Sequence, residues 1–157
     1  MSTIAADSTE NGSAPRVARE VITLHGRKVV GGVAEGEALV TRQTISGWGG
    51  VNAMTGTVIE TRHELRGISF KDKVLVCPGA KGSSGWSSVF HQARLAGTAP
   101  KAMVFNEMTT KVALGAVVMR VPSITDLDQD PLEVIETGDW VTVDADRGIV
   151  EVVKKAP

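Results

Sequence analysis

At 157 residues with 42% apolar side chains, the chain is long enough for one domain with a proper core and too short for two ordinary ones. Its 17 Lys and Arg against 18 Asp and Glu create no net field for nucleic acid or an anionic membrane surface, which argues against both as partners. Cys77 is the only cysteine, which excludes an internal disulfide and any metal or iron–sulfur centre held by several thiolates of this chain; no apolar stretch approaches the ~20 residues that span a bilayer, so a cytoplasmic protein is expected.

Residues 1–16 are small, polar and aperiodic, too poor in apolar area to offset their chain entropy, and are expected as a disordered or loosely attached tail before a single domain over 17–157. The segments VITLHG (21–26) and EALVTRQ (37–43) read as strands, with Gly26, Gly31, Gly32 and Gly36 as turn markers between them. Residues 46–56 (SGWGGVNAMTG) are too glycine-dense for regular structure and read as a long loop.

The runs KVLVC (73–77) and AMVF (102–105) are continuously apolar, as in strands covered on both faces. Between them Trp86, Val89, Phe90, Ala93 and Ala96 recur at helical spacing, and Gly97 with Pro100 supplies a stop. Strand, helix and strand make a right-handed crossover with parallel strands. The loop CPGAKGSSGWSS (77–88) then sits where ligands bind in open α/β sheets, at the carboxyl end of a strand and the amino end of a helix. Residues 110–119 fit a short helix or a buried strand, Gly115 weakening both, and the reading preferred is a short helix leading into a strand near 119–124. The segments 139–143 and 148–153 alternate around Asp146, Arg147 and Gly148, predicting an antiparallel hairpin. The fold class is therefore α/β: a mixed sheet with one parallel βαβ unit and antiparallel C-terminal strands.

Several catalytic signatures fail letter by letter. A phosphate loop needs Lys directly after its last Gly, whereas Lys81 precedes Gly82. A nucleophile elbow has one residue on each side of its Ser, whereas Gly82 and Gly85 enclose two serines. The run from Gly47 to Asn52 lacks the third dinucleotide-binding glycine. A triad of Ser83 or Ser84 with His63 or His91 has no supporting spacing, and His25, His63 and His91 form no ligand-spaced pair, so no metal is assigned to this chain. Two readings stand for the serine loop. Ser83 or Ser84 caps the helix, or the loop binds an anion through Lys81, backbone N–H groups and the helix dipole. Trp48 reads as lining a cavity or an interface, and Trp86 stays open between core and cavity.

The stretches 46–56, HELRG (63–67), KVLVCPGAKGSS (73–84), ALGA (113–116) and GDWVTVDADRGIVEV (138–152) together resemble the small subunit of the aconitase X enzymes, a branch of the aconitase superfamily. The likeness covers roughly residues 32–153. It implies a swivelling β/β/α domain that closes over the active site of a separate large subunit, in a heterodimer or a dimer of heterodimers. It also implies an iron–sulfur cluster on that partner, none being bound by this chain alone. By resemblance Ser83 is the proton-transfer residue of a hydro-lyase. Lys81, Gly82, Ser84, Trp48, Gly49, Gly50 and Asn52 are its substrate-binding or loop-supporting neighbours. Aconitase follows its serine pair with an Arg that binds the substrate carboxylate; Gly85 and Trp86 stand here instead, leaving that carboxylate to backbone N–H groups or to the partner. The family implies two substrates, cis-3-hydroxy-L-proline and mevalonate 5-phosphate, and the residues 81–84 favour the first, giving Δ1-pyrroline-2-carboxylate. The alternative of another class is a non-catalytic module that uses the same fold to dock a partner.

Overall fold

The computed structural model describes residues 2–4, 19–81 and 85–156. Most of the expected tail, residues 5–16, lies outside them. In chain order the elements are β1 (Ser2–Ile4), β2 (Arg19–His25), β3 (Arg27–Val30), β4 (Val33–Val40), β5 (Ile45–Ser46), β6 (Val51–Asn52), β7 (Thr57–Val58), β8 (Val74–Cys77) and β9 (Ala80–Lys81). They continue with α1 (Trp86–Ala96), β10 (Ala102–Phe105), α2 (Thr110–Met119), β11 (Ser123–Thr125), α3 (Pro131–Val134), β12 (Trp140–Asp144) and β13 (Ile149–Val153).

Nine strands form one sheet in the order β1-β2-β13-β12-β4-β8-β10-β11-β3. The chain crosses from β2, near one end of that order, to β3 at the other through Gly26 alone, so the sheet curls until its ends meet. Gly26 is required at this corner: a Cβ there would stand 2.6 Å from both the Thr125 carbonyl oxygen and Leu127 Cδ2. Closure leaves an interior lined by Leu24, Val74, Val76, Val104, Ile124, Val141, Val143, Val150 and Val152, all fully buried. Alternation does the sorting. On β8, Val74 and Val76 point into the barrel while Leu75 and Cys77 point out under the helices, and on β10 Ala102 and Val104 point in while Met103 and Phe105 point out. Strands covered on both faces explain the unbroken apolar runs.

The outer layer packs α1 and α2 on β8 and β10. The predicted crossover is present, β8 pairing parallel with β10 around α1, and the parallel region extends further: β4 joins β8, and β10 joins β11 by a second crossover through α2. Gly115, which made α2 ambiguous in sequence, is needed there, because a Cβ would overlap the Trp86 ring. Trp86 in turn tilts against Phe90 with ring centroids 4.3 Å apart and donates from Nε1 to the Ile45 carbonyl at 2.7 Å.

Three local expectations change. β4 starts at Val33 rather than residue 37 and runs straight through Gly36, which marks a close approach to the Asp72 carbonyl (3.1 Å from an added Cβ) instead of a turn. Residues 41–43 leave the strand because their polar groups bind Glu64. α3 went unread, although Asp130 as N-cap to the Leu132 amide (2.9 Å), with Pro131 in the first turn, is a legible start signal. α1 begins at Trp86 and is closed by Gly97 as expected, and the C-terminal hairpin pairs Trp140 with Val153 through Asp144 with Ile149.

Candidate functional site

The two Gly-rich segments, 31 residues apart in sequence at Gly50 and Lys81, are joined by a short parallel ladder in which β5 pairs with β9, Ile45 beside Ala80 and Ser46 beside Lys81. Glycine makes the contact possible. A Cβ on Gly47 would lie 2.8 Å from Trp86 Cα and 2.9 Å from its N, and one on Gly85 would overlap the Trp48 indole. The 46–56 loop is thus laid directly over the start of α1. Of its residues, Trp48 is 56% exposed and lies across Gly85, Gly49 sits in the left-handed region (φ 77°), and the Gly50 amide donates to Gly47 O at 3.1 Å. Asn52 spends its side chain on the turn, Oδ1 accepting from the Met54 amide at 3.0 Å. Trp86, by contrast, is a core residue, 3% exposed.

Gly82, Ser83 and Ser84 lie outside the described residues. What flanks them is defined. Lys81 ends β9, and α1 starts with Gly85 as N-cap, in the left-handed region at φ 69°. The capping reading of the serine pair falls on residues 83 and 84, outside the described residues. The Lys81 ammonium is held 2.6 Å from Glu60 Oε1, while Glu60 Oε2 is buried with no hydrogen-bond partner among the described residues. Glu60 is tied to the same loop, since the amide of its neighbour Ile59 donates to Gly50 O at 2.8 Å.

Beside Lys81 opens a cavity of about 420 Å³ whose walls include Arg42, Thr44, Glu60, Arg62 and His63. That volume falls among small-molecule sites, about 300–1,000 Å³. Segments 41–44 and 60–65 are laced together on its flank. Glu64 Oε1 accepts from the Thr41 hydroxyl at 2.5 Å and the Arg42 amide at 2.9 Å, and the Glu64 amide donates to Gln43 Oε1 at 2.9 Å. The Thr41 hydroxyl first, then the Arg42 amide, hold the Glu64 carboxyl below its ordinary range. His63, 7% exposed, has both ring nitrogens engaged. Nδ1 accepts from the Leu65 amide at 3.0 Å, which leaves Nε2 to donate to the Thr44 carbonyl at 3.2 Å. It is a strut of the wall with no nitrogen left for a serine, and His25 and His91 are exposed elsewhere.

Sequence reading missed Arg42, Glu60 and Arg62 as a group. Only HELRG at 63–67 hinted at this wall. Cys77 is fully buried between barrel and helices, and burial pushes its thiol up to about 12, the Gly79 amide working weakly the other way. Among the described residues no three His, Cys, Asp or Glu side chains converge as metal ligands, and no helix is long and apolar enough to cross a membrane.

Comparison with known proteins agrees with this architecture. The aconitase X swivel domain matches residues 23–152. Among similar chains, the phosphomevalonate dehydratase small subunit of Methanocella arvoryzae is 44% identical over 128 residues, 82% of this chain and 97% of that one. Its namesake in Thermococcus sibiricus is 42% identical over 129 residues, again 82% of this chain and 97% of that one. The crystal structure of Thermococcus kodakaraensis aconitase X in its holo-form superposes with a TM-score of 0.79 at 41% identity, covering 85% of this chain and 99% of that one. The names of these relatives overturn the preference for cis-3-hydroxy-L-proline, which rested on four residues, 81–84, in a loop too short to discriminate substrates. With a mixed α/β barrel, a matching swivel-domain profile over most of its length and relatives above 40% identity, the chain belongs to the aconitase X swivel-domain family.

Proposed function

We propose that this chain is the small subunit of a phosphomevalonate dehydratase, a cytoplasmic hydro-lyase that works only with a large subunit and removes water from mevalonate 5-phosphate. The observation that carries the reading is the identity of 44, 41 and 42% to three small subunits of that name, each matched over at least 82% of this chain and 92% of the relative. The reaction takes a proton from the carbon next to the carboxylate and releases the hydroxyl on the following carbon as water. Ser83 is the group assigned to the proton. A serine hydroxyl becomes a competent base only where its alkoxide is stabilised. Lys81 and the amino end of α1 flank Ser83 and support that role. Ser84, Gly82, Gly49, Gly50, Trp48 and Asn52 are assigned as its substrate-binding or loop-supporting neighbours.

The residues of this chain do not fit an iron–sulfur cluster. Its only cysteine is buried and kept as the thiol, so a cluster belongs to the large subunit. The experiment is a dehydration assay of the two-subunit complex. Mevalonate 5-phosphate is turned over, and Ser83→Ala lowers kcat at least about a hundredfold with the complex still assembled. Near-normal turnover by Ser83→Ala would remove Ser83 from the chemistry. A complex inert towards mevalonate 5-phosphate would remove the substrate assignment.

A further inference from the structure

The large apolar side chains left exposed among the described residues gather in three places. Val33 and Trp140 stand on the outer face of β4 and β12. Leu95, Met108, Leu114 and Val117 belong to α1, α2 and the turn before α2. Trp48, Met54, Ile59 and Ile68 share the lobe built on the β6–β7 hairpin. Alternation puts them there. Val51 faces Val58 across the hairpin on the core side, so Asn52, Met54 and Ile59 fall on the outer face. Ile68 joins through a third extended segment, the Val58 amide donating to Ile68 O at 3.1 Å. The lobe beneath them is fixed. The Thr98 hydroxyl donates to Ala53 O at 2.5 Å, the Phe70 amide donates to Gly56 O at 2.8 Å, and a Cβ on Gly56 would stand 2.7 Å from Thr98 O. A scaffold already ordered loses little further entropy when its outer face is covered.

We infer that the outer face of this lobe is a docking surface for the large subunit, with Trp48 as its anchor. The inference rests on the dehydratase reading above for the identity of that partner. Position selects it. A large subunit that carries the cluster and shares one substrate with Ser83 has to reach both ends of the serine loop, Lys81 and Gly85. Trp48 lies across Gly85, and the Ile59 amide donates to Gly50 O at 2.8 Å, two residues from Trp48. A chain seated over the loop therefore continues onto Ile59, Ile68 and Met54. Val33 and Leu95 are placed differently. β4 runs parallel to β8, whose carboxyl end carries the loop, so Val33 at the start of β4 and Leu95 near the end of α1 stand at the opposite end of the domain. Composition agrees, since Trp, Met and Arg are enriched in interfaces. Arg62 and Arg66, between Ile59 and Ile68, are exposed and make no salt bridge among the described residues. The complementary surface is an apolar pocket that takes an indole, with an acidic rim.

The test measures association of the full chain with the purified large subunit by calorimetry. Met54→Asp alters a side chain that is 74% exposed, so it keeps the Tm of the free chain and raises Kd at least about tenfold. Trp48→Ala raises Kd at least about thirtyfold. Leu114→Asp, on the α2 face, leaves Kd unchanged. Arg66→Glu slows association and flattens its dependence on salt. A benzophenone attached at Met54→Cys crosslinks to the large subunit on irradiation, Cys77 being too buried to take the label. Met54→Asp and Trp48→Ala chains that bind as tightly as wild type overturn the surface, and so does a Leu114→Asp chain that weakens binding more than Met54→Asp. Crosslinking between copies of this chain alone assigns the lobe to self-association and also overturns it. A wild-type pair that assembles but leaves mevalonate 5-phosphate unchanged removes the substrate reading and spares the surface. A pair that does not associate removes both.

Discussion

Asp139→Ala tests a buried staple at the β13, β12 and β4 end of the barrel. The Asp139 side chain is fully buried and serves three groups: the Glu136 amide at 2.8 Å, the Lys155 amide at 2.9 Å and the Lys154 ammonium at 2.6 Å. Its own carbonyl accepts from the Ala38 amide, so one residue ties the end of β13 to β4 and to the turn before β12. Removing one partner of a buried ion pair costs about 3–5 kcal/mol. Lys154 keeps Val134 O at 2.8 Å and Glu136 Oε1 at 3.2 Å and is 17% exposed, so the lower end applies, about 3 kcal/mol. For a domain of this size that corresponds to a fall in Tm of about 6–12 °C. Urea denaturation followed by circular dichroism measures it. Asp139→Ala combined with Lys154→Met recovers part of the loss, because the stranded charge goes with it. The pH dependence has a definite sign. Burial pulls the Lys154 ammonium down, but Asp139 and then Glu136 outweigh it and hold the group above its ordinary 10.5. Its stabilisation is therefore complete below pH 10.5 and disappears as pH rises through the folded value. The stability gap between wild type and Asp139→Ala then narrows at high pH, the part carried by the Glu136 and Lys155 amides remaining. A loss under about 1 kcal/mol, or parallel pH profiles for the two proteins, would refute the staple.

Two further predictions concern the packing beneath the site. Gly115→Ala gains about 1 kcal/mol of helix propensity but drives a methyl into the Trp86 ring, an overpacking cost of about 1–3 kcal/mol, and Trp86 cannot yield without breaking its bond to Ile45 O. The variant is expected to be less stable in urea, and a stabilised variant would show that the helices are not in close contact there. Cys77 resists iodoacetamide in the native chain and reacts once guanidinium unfolds it, since burial holds it as the thiol near 12. Fast native labelling, read by mass spectrometry, would contradict that placement.

The elements legible in sequence are those whose environment is uniform along their length. β8 and β10 are buried on both faces, so every side chain is apolar and the run announces itself; α1 carries a helical stripe and a glycine stop. β4 was misjudged at its start because Val33 to Glu37 lie largely exposed and pair with β12 through the backbone, which leaves no apolar pattern to read. Gly36 and Gly115 looked like breakers and turned out to mark close approach, a distinction that depends on a neighbour remote in the chain. The site divides the same way. The glycine–serine segment stood out by composition, while Arg42, Glu60 and Arg62 were three ordinary surface letters until the Thr41, Glu64 and His63 bonds placed their segments together.

Sequence alone determined the family, the fold class and the crossover that carries the serine loop, because each depends on residue type and local period. Tertiary structure decided that β2 and β3 close a barrel through Gly26, that Trp86 is core while Trp48 lies half exposed over Gly85, and that three cations share a cavity beside Lys81. Those outcomes are set by contacts between residues tens of positions apart, and no periodicity or motif within a single segment encodes which distant backbone will arrive.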